Sequence, residues 1–168
     1  KTVVYRRHGN QCWLVWKVQG RDTQQIAGKL KAMGEDDLLV DTIIVDDSGV
    51  GGGVVDRLKE EGVRQGQVRV VPFNGGAKAH RDDRYVNAIA EAWLDLAVVF
   101  KAGNIDIDDN PALTAQLSSR RYILQGDRRL KLESKDDYKK RTGISPDDAD
   151  ALAMAYAPTS GKPNIRWL

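Results

Sequence analysis

The chain has one cysteine, two histidines and no long apolar run among its 168 residues. The lone Cys12 excludes an intrachain disulfide and a cysteine-based zinc site, and it suits a reducing compartment. No stretch approaches the roughly 18 apolar residues that a membrane span requires, and no secretory signal is visible. The sequence thus predicts a globular protein that is neither secreted nor embedded in a membrane.

An excess of charge of one sign is also missing, because 26 Lys and Arg balance 24 Asp and Glu to a formal net charge of +2. Such a balance neither demands nor excludes a nucleic-acid partner, since a basic face can coexist with an acidic site. The length and a hydrophobic fraction of 41% are those of one domain with its own core. We predict a domain over 1–157 and a loop-like tail over 158–168. The strand-like start without an initiator Met predicts a piece of a longer protein.

The order of strand and helix signals predicts an α/β fold. β-Branched and aromatic residues on either side of His8-Gly9-Asn10 form a hairpin pattern. The apolar stretch 41–45, a glycine-rich turn, a helix and the stretch 67–71 form a βαβ unit, whose two strands are therefore expected to be parallel. Further helices are predicted over 22–33, 84–100, 110–118 and from Ser145 onward, with a second hairpin over 121–125 and 130–133.

Three acidic residues crowd the start of the Ala-rich segment that follows Ser145-Pro146. Ser145 is a good N-cap, Pro146 suits the first helical position, and carboxylates favour a helix N-terminus. Capping does not explain why Asp147 and Asp150 share one helix face at i, i+3, just where the helix turns apolar. Converging carboxylates of this kind are what a Mg²⁺ or Mn²⁺ site needs. Asp148 lies off that face, and we expect it to face solvent.

Asp46 follows the apolar stretch 41–45, at the strand end where ligands bind in open α/β sheets. A turn or capping role for Asp46 and Asp47 is equally compatible with the pattern. The glycine run 48–53 lacks the Gly-Lys-Ser/Thr of a Walker A loop and fits a dinucleotide fingerprint poorly. Close packing of a helix on a strand is therefore its simpler explanation, with contact to a nucleic-acid phosphate as an addition.

Two segments are rich in basic side chains and lie far apart in the sequence. The first contributes Lys78, Arg81 and Arg84, and the second contributes Arg128, Arg129 and Lys131. A solvated surface explains either cluster. Both clusters also have the composition that tracks a phosphate backbone without reading base sequence, and the sequence leaves the two interpretations open.

Four stretches, taken in order, resemble the C-terminal nuclease domain of the large terminase subunit of tailed bacteriophages. They are 43–51 (IIVDDSGVG), 73–79 (FNGGAKA), 85–93 with its YVN and EAW, and 132–152 from LESKD to SPDDADAL. Each string is weak alone, whereas the ordered set is specific and covers nearly the whole chain. The resemblance implies an RNase H-like mixed sheet flanked by helices.

The same resemblance implies an endonuclease that cuts concatemeric viral DNA at the initiation and termination of packaging, with two Mg²⁺ or Mn²⁺ ions. It assigns Asp46, Asp147 and Asp150 as catalytic, metal-binding residues, with a preference for Asp150 over Asp147 as the principal ligand. It also implies double-stranded DNA, the terminase ATPase domain, the small terminase subunit and the portal as partners. It places the protein in the host cytoplasm at the procapsid, and an isolated nuclease domain is expected to be monomeric.

One member of the family's acid set has no counterpart here. In the family an Asp lies on a central strand just upstream of the segment matched by Lys1-Thr2-Val3-Val4, so the first strand of the fold is expected to be missing. No Walker A motif of the ATPase domain is present. Two alternatives stay open: another RNase H-like nuclease of the Holliday-junction resolvase or transposase type, and a non-catalytic DNA- or motor-binding module, which the missing acid favours.

Overall fold

The computed structural model describes residues 1–158, so the predicted tail after Pro158, including Trp167, lies outside the described residues. No helix within this range is long and apolar enough to cross a membrane. A 3₁₀ turn at Arg64–Gly66 precedes the fourth strand. The elements in chain order are β1 Thr2–His8, β2 Gln11–Val18, α1 Thr23–Asp36, β3 Thr42–Asp46, α2 Gly51–Glu61, β4 Arg69–Phe73, α3 Ala88–Lys101, β5 Asp106–Ile107, α4 Pro111–Ser119, β6 Tyr122–Leu124, β7 Leu130–Leu132, α5 Lys135–Thr142 and α6 Asp147–Ala155.

The predicted α/β class is confirmed. β1 and β2 form the expected antiparallel hairpin, and the turn between them uses Gly9 at a φ of 61°. β2 pairs in parallel with β5, so the first sheet is mixed. β3 and β4 pair in parallel across α2, as the βαβ pattern predicts.

Two predicted helix starts are wrong, and each has a local cause. α3 begins at Ala88 because Asn87 caps it, with its side chain accepting from the backbone N of Ala90 at 3.1 Å. The residues before Asn87 pair with the second hairpin instead. α6 begins at Asp147, with Pro146 at the capping position and no side-chain cap, while Ser145 Oγ bonds Asp147 Oδ1 at 2.5 Å.

Two hydrophobic clusters hold the elements in place. In the larger one α3, α4 and α6 meet through buried side chains that include Trp93, Leu113 and Leu152. In the other, α1 and α2 pack on β3 and β4 through Leu30 and Leu58. Cys12 is buried in the larger cluster.

A slot separates the two sheets β1–β2–β5 and β3–β4. Within residues 1–158 no strand pairs with the free edge of β1 or with that of β3. A cavity of about 2210 Å³ runs between these edges, and α6 contacts both strands. Large exposed apolar side chains, Leu38, Leu39 and Val50, also line it.

Candidate metal centre and nucleic-acid surface

The three predicted acids line the same slot. Asp46 is the last residue of β3, and its Oδ1 accepts from the backbone N of Ser48 at 3.1 Å. Asp147 and Asp150 project from the first turn of α6. The strand end and the helix start therefore meet at one place, as their sequence positions predict for open α/β sheets.

Gly51 explains how α2 comes so close to Asp46. A Cβ at this position would stand 1.6 Å from the carbonyl oxygen of Asp46, a distance that no packed side chain tolerates. The first residue of α2 therefore lies directly against the end of β3. This contact supports close packing as the reason for the glycine run.

Lys135, the first residue of α5, lies between two of the acids. Its Nζ is 3.1 Å from Asp150 Oδ2 and 3.8 Å from Asp46 Oδ2. Burial disfavours the charge on this ammonium, but Asp150 and Asp46 outweigh burial and raise the pKa of Lys135 above its usual value. A cation thus already occupies the position that the two carboxylates share.

The two oxygens of Asp150 have different surroundings. Oδ1 accepts from the indole Nε1 of Trp93 at 2.8 Å, and an Arg120 guanidinium nitrogen lies 3.4 Å from it. Oδ2 is buried and has no hydrogen-bond partner in the described part of the chain, although it faces the Lys135 ammonium. One oxygen of a nearly buried carboxylate is therefore left to meet a cation.

Asp147 is the most accessible of the α6 acids. Its side chain is 22% exposed, it accepts from Ser145 Oγ, and Lys1 Nζ lies 3.8 Å from its Oδ2. It therefore joins the acidic wall of the slot while remaining in contact with solvent.

Across residues 1–158, no three His, Cys, Asp or Glu side chains stand close enough together to hold a metal ion. The residues present nonetheless fit part of such a site, because Oδ2 of Asp150 and Oδ2 of Asp46 face one cationic partner, the Lys135 ammonium. Oxygen donors of this kind are those that Mg²⁺ and Mn²⁺ prefer.

The expectation that Asp148 faces solvent is wrong. Its side chain is 0% exposed; Lys17 Nζ donates to Oδ1 at 2.6 Å and Gln116 Nε2 to Oδ2 at 3.0 Å. Burial alone would raise the pKa of Asp148, but these two donors lower it below its usual value. The helix face opposite the slot packs on β2 and α4, which a helical pattern cannot reveal.

The structure brings the two basic segments together. Leu130 N donates to Arg84 O at 2.8 Å and Val86 N donates to Leu130 O at 3.0 Å, so the segment 84–86 lies beside β7. Arg84, Arg128 and Lys131 are exposed on this three-stranded ribbon. The two clusters thus form one basic surface.

Three other predicted basic residues already have acidic partners. Lys78 pairs with Asp82 at 2.6 Å, and Arg129 pairs with Asp127 at 2.8 Å. Arg81 bonds both Glu91 and Asp95, which raise its pKa. Arg81 thereby ties the loop to α3, and less of its charge is left for a phosphate.

Sequence reasoning did not connect Lys135, Arg120 or Trp93 with the acidic site. Lys135 and Trp93 lie inside the motifs quoted above, LESKD and EAW, but only the folded chain shows that both reach Asp150. A lysine in the first turn of a helix, where cations are disfavoured, was the available signal for Lys135.

Solved structures similar to this fold include nuclease domains of phage large terminase subunits. A lysine-to-alanine mutant of the nuclease domain of large terminase subunit gp2 of bacterial virus Sf6, with manganese, matches with a TM-score of 0.77 and 20% identity, covering 92% of this chain and 82% of that chain. The Sf6 domain without that substitution matches with a TM-score of 0.77 and 19% identity, over 93% and 81%.

A more distant match is the large terminase nuclease from thermophilic phage G20c with bound magnesium. Its TM-score is 0.61 and its identity 15%, over 92% of this chain and 78% of that chain. No protein-family model and no curated protein matches the sequence. At these identities the likeness shows the fold, and it confirms the RNase H-like mixed α/β architecture predicted from the sequence. The metals in these solved structures are among those the sequence predicts.

Proposed function

We propose that this protein is a metal-dependent endodeoxyribonuclease of a phage DNA-packaging terminase. The observation that carries the proposal is the convergence of Asp46 and Asp150 on one cation position, within a fold otherwise seen in terminase nuclease domains. Two carboxylates that share a cation at a sheet edge support divalent-metal chemistry.

Asp46, Asp150 and Asp147 would hold two Mg²⁺ or Mn²⁺ ions. Such ions lower the pKa of a bound water and stabilise the leaving oxygen of a phosphodiester. Asp150 would contribute Oδ2, because Trp93 and Arg120 hold Oδ1. Lys135 would leave its place between the acids and stay close enough to bind a phosphate oxygen.

A fourth carboxylate is needed, and the slot is where we place it. An extended strand alongside β1 would span about 23 Å for seven residues, and it would satisfy the free edges of β1 and β3. It would also cover Leu38, Leu39 and Val50, which are 81%, 69% and 76% exposed. The proposed strand would thus complete both the sheet and the metal site.

Duplex DNA would lie along the basic ribbon formed by 84–86, β6 and β7. Lys131 and Lys135 are four residues apart, so their Cα atoms lie at most about 13–14 Å apart, and the Lys135 side chain itself reaches Asp150. Arg84, Arg128 and Lys131 would contact phosphates without reading sequence. Low sequence specificity suits an enzyme that trims packaged DNA.

The biological setting is part of the same proposal. The substrate would be concatemeric double-stranded viral DNA, cut at the initiation and termination of packaging in the host cytoplasm. The ATPase domain of the terminase, its small subunit and the portal would be the partners. These assignments depend on the resemblance to terminase nucleases and on the fold that supports it.

A non-catalytic DNA- or motor-binding module is the second candidate. The observation that favours it is the lack of any three-acid group within residues 1–158. Such a module would bind duplex DNA through the same basic ribbon and would cut none.

The deciding experiment is digestion of supercoiled plasmid with Mn²⁺ or Mg²⁺. It compares two chains: the 168-residue chain and the same chain extended upstream of Lys1 by whatever its gene encodes there. Each chain is tested without substitution, with Asp46→Asn and with Asp150→Asn. Asp148→Asn is the matched control, because it removes a carboxylate from the same helix turn. We expect cleavage by the extended chain, weak cleavage by the shorter one, and none by the two slot variants.

Equal cleavage by the parent and both slot variants would overturn the assigned site. Binding of duplex DNA without cleavage by the extended chain would favour the binding module. Preference for a four-way junction over linear duplex would instead indicate a resolvase-type enzyme. The salt dependence of binding reports on the ribbon, since each lost phosphate contact reduces its steepness.

A further inference from the structure

The Asp150 carboxylate has an asymmetric environment that burial alone does not require. Its side chain is 5% exposed, and a buried carboxylate is normally satisfied at both oxygens. Here both donors converge on Oδ1: the Trp93 indole at 2.8 Å and the Arg120 guanidinium at 3.4 Å. Within residues 1–158 Oδ2 has no hydrogen-bond donor, and its one polar neighbour is the Lys135 ammonium in the slot, 3.1 Å away as an ion pair.

The two donors are themselves held in place. Trp93 is 6% exposed and belongs to the larger hydrophobic cluster. The Arg120 side chain is 3% exposed, and its Nε donates to the Glu133 carbonyl at 2.9 Å. Its guanidinium lies over the Trp93 ring at 5.2 Å and over the Tyr138 ring at 5.4 Å. Neither donor can turn away without breaking contacts in the core.

We propose that Trp93 and Arg120 are positioning residues, which hold Oδ1 of Asp150 so that Oδ2 alone meets the cation in the slot. This inference rests on the proposed function, because the cation is Lys135 in this structure and a divalent metal in the working enzyme. Fixing the carboxylate in advance removes the cost of orienting it when the metal binds. The carboxylate then binds through one oxygen.

The test measures binding of Mn²⁺ alone, by titration calorimetry and by electron paramagnetic resonance of the free ion. Trp93→Phe removes the indole donor and keeps an aromatic ring. The matched control is Trp16→Phe, since Trp16 is half-buried and packs against the other hydrophobic cluster. We expect Trp93→Phe to weaken Mn²⁺ binding roughly tenfold, the lower end of what loss of a supporting hydrogen bond costs, while Trp16→Phe leaves it unchanged.

A second measurement does not depend on the folding of a variant. In the unsubstituted protein, Mg²⁺ should shift the indole N–H resonance of Trp93 in ¹H–¹⁵N spectra and leave those of Trp13 and Trp16 in place. Two results would overturn the positioning role alone. One is equal Mn²⁺ affinity in Trp93→Phe and the parent, and the other is a Trp93 indole resonance that does not shift when Mg²⁺ binds. Failure of the unsubstituted chain extended upstream of Lys1 to bind either ion would overturn the proposed metal site itself.

Discussion

The first turn of α6 carries two buried carboxylates, Asp148 and Asp150, and their surroundings differ. Both oxygens of Asp148 have a partner, one from Lys17 on β2 and one from Gln116 on α4. Within residues 1–158, Asp150 has hydrogen-bond donors at Oδ1 only, and its Oδ2 faces the slot, where the Lys135 ammonium lies 3.1 Å away. Burial is therefore common to both, and the satisfaction of each oxygen separates an architectural acid from a candidate ligand.

The contacts of α6 with β2 and α4 also show why this helix holds its acidic side chains in fixed directions. Gln116 donates to Asp148 and accepts from the backbone N of Ala149 at 3.0 Å. A side chain of α4 therefore satisfies one of the backbone N–H groups that have no partner within the first turn of α6. Lys17 attaches the same turn to β2. The satisfied acid thereby anchors the helix on which the half-satisfied acid stands.

The largest expected effect is on metal-dependent cleavage, where substitution of the two buried acids should have very different consequences. Asp150→Asn should reduce metal-dependent cleavage at least about 1000-fold, about 4 kcal/mol of barrier, because the slot loses a charged ligand. Asp148→Asn should keep cleavage within about threefold of the parent when assayed well below its melting temperature, since its carboxylate faces away from the slot. Plasmid nicking measured at matched concentrations checks both, and a folded Asp148→Asn protein that is as inactive as Asp150→Asn would contradict the division.

The second-largest expected effect is on stability, where the order of the two variants is reversed: Asp148→Asn should destabilise the fold more than Asp150→Asn. Asp148→Asn should lower the free energy of unfolding by about 2–3 kcal/mol, because an amide NH₂ would face one of two buried donors. Asp150→Asn should cost about 1 kcal/mol, because the amide oxygen still accepts from Trp93 and the Lys135 ammonium that the new NH₂ would face is half exposed to solvent. Urea unfolding of the two variants decides the order, and a greater loss of stability in Asp150→Asn would mean that the slot side is the structural anchor.

These two acids also show how far sequence reasoning reached. Asp46 and Asp150 were identified because a strand end and an apolar helix face are local patterns that survive folding. Asp148 was misplaced because a helical pattern distinguishes two faces but does not tell which neighbours cover the second one. Only the fold brings Lys17, which lies 131 residues earlier in the chain, to that face.

The same limit applies to the basic residues and to the slot. Composition identified the clusters around Arg84 and Lys131, whereas their union depends on the pairing of 84–86 with Leu130. The role of Arg81 depends on Glu91 and Asp95, which a count of basic residues overlooks. Lys135 was inside a quoted motif, but its place between Asp46 and Asp150 is a long-range property of the fold.

A smaller expected effect is on the affinity for Mn²⁺, and it concerns Lys135, whose ammonium lies between Asp46 and Asp150. Lys135→Met should strengthen Mn²⁺ binding by about tenfold, about 1.4 kcal/mol, because an ammonium no longer competes for Asp150 and Asp46. Lys139→Met is the matched control, since Lys139 is an exposed lysine of the same helix α5. Titration calorimetry measures both affinities, and unchanged or weaker binding in Lys135→Met would mean that Lys135 supports the metal site rather than occupying it.

The smallest expected effect comes from the ion pair between Glu133 and Arg141 near the surface. Its contribution to stability can be compared with that of the buried acids. Arg141 bonds both oxygens of Glu133, at 2.9 and 2.7 Å, and lowers the pKa of Glu133 to about 2. A lowered pKa in the folded state means that the ionised carboxylate stabilises the fold above its usual pKa of 4.5, and that this stability is lost as the pH falls from 4.5 towards about 2. Glu133→Gln should therefore cost about 1 kcal/mol or less at pH 7, after screening by solvent.

Urea unfolding at two pH values and two salt concentrations separates this pair from the buried one. The difference between the parent and Glu133→Gln should shrink near pH 2.5 and in 1 M NaCl, because both protonation and salt weaken an accessible pair. The cost of Asp148→Asn should persist in 1 M NaCl, since its carboxylate is shielded from solvent and ions. If salt reduced both costs equally, the donors around Asp148 would be acting as an ordinary surface pair, and α6 would lack the rigid anchor that lets Asp150 hold one oxygen towards the slot.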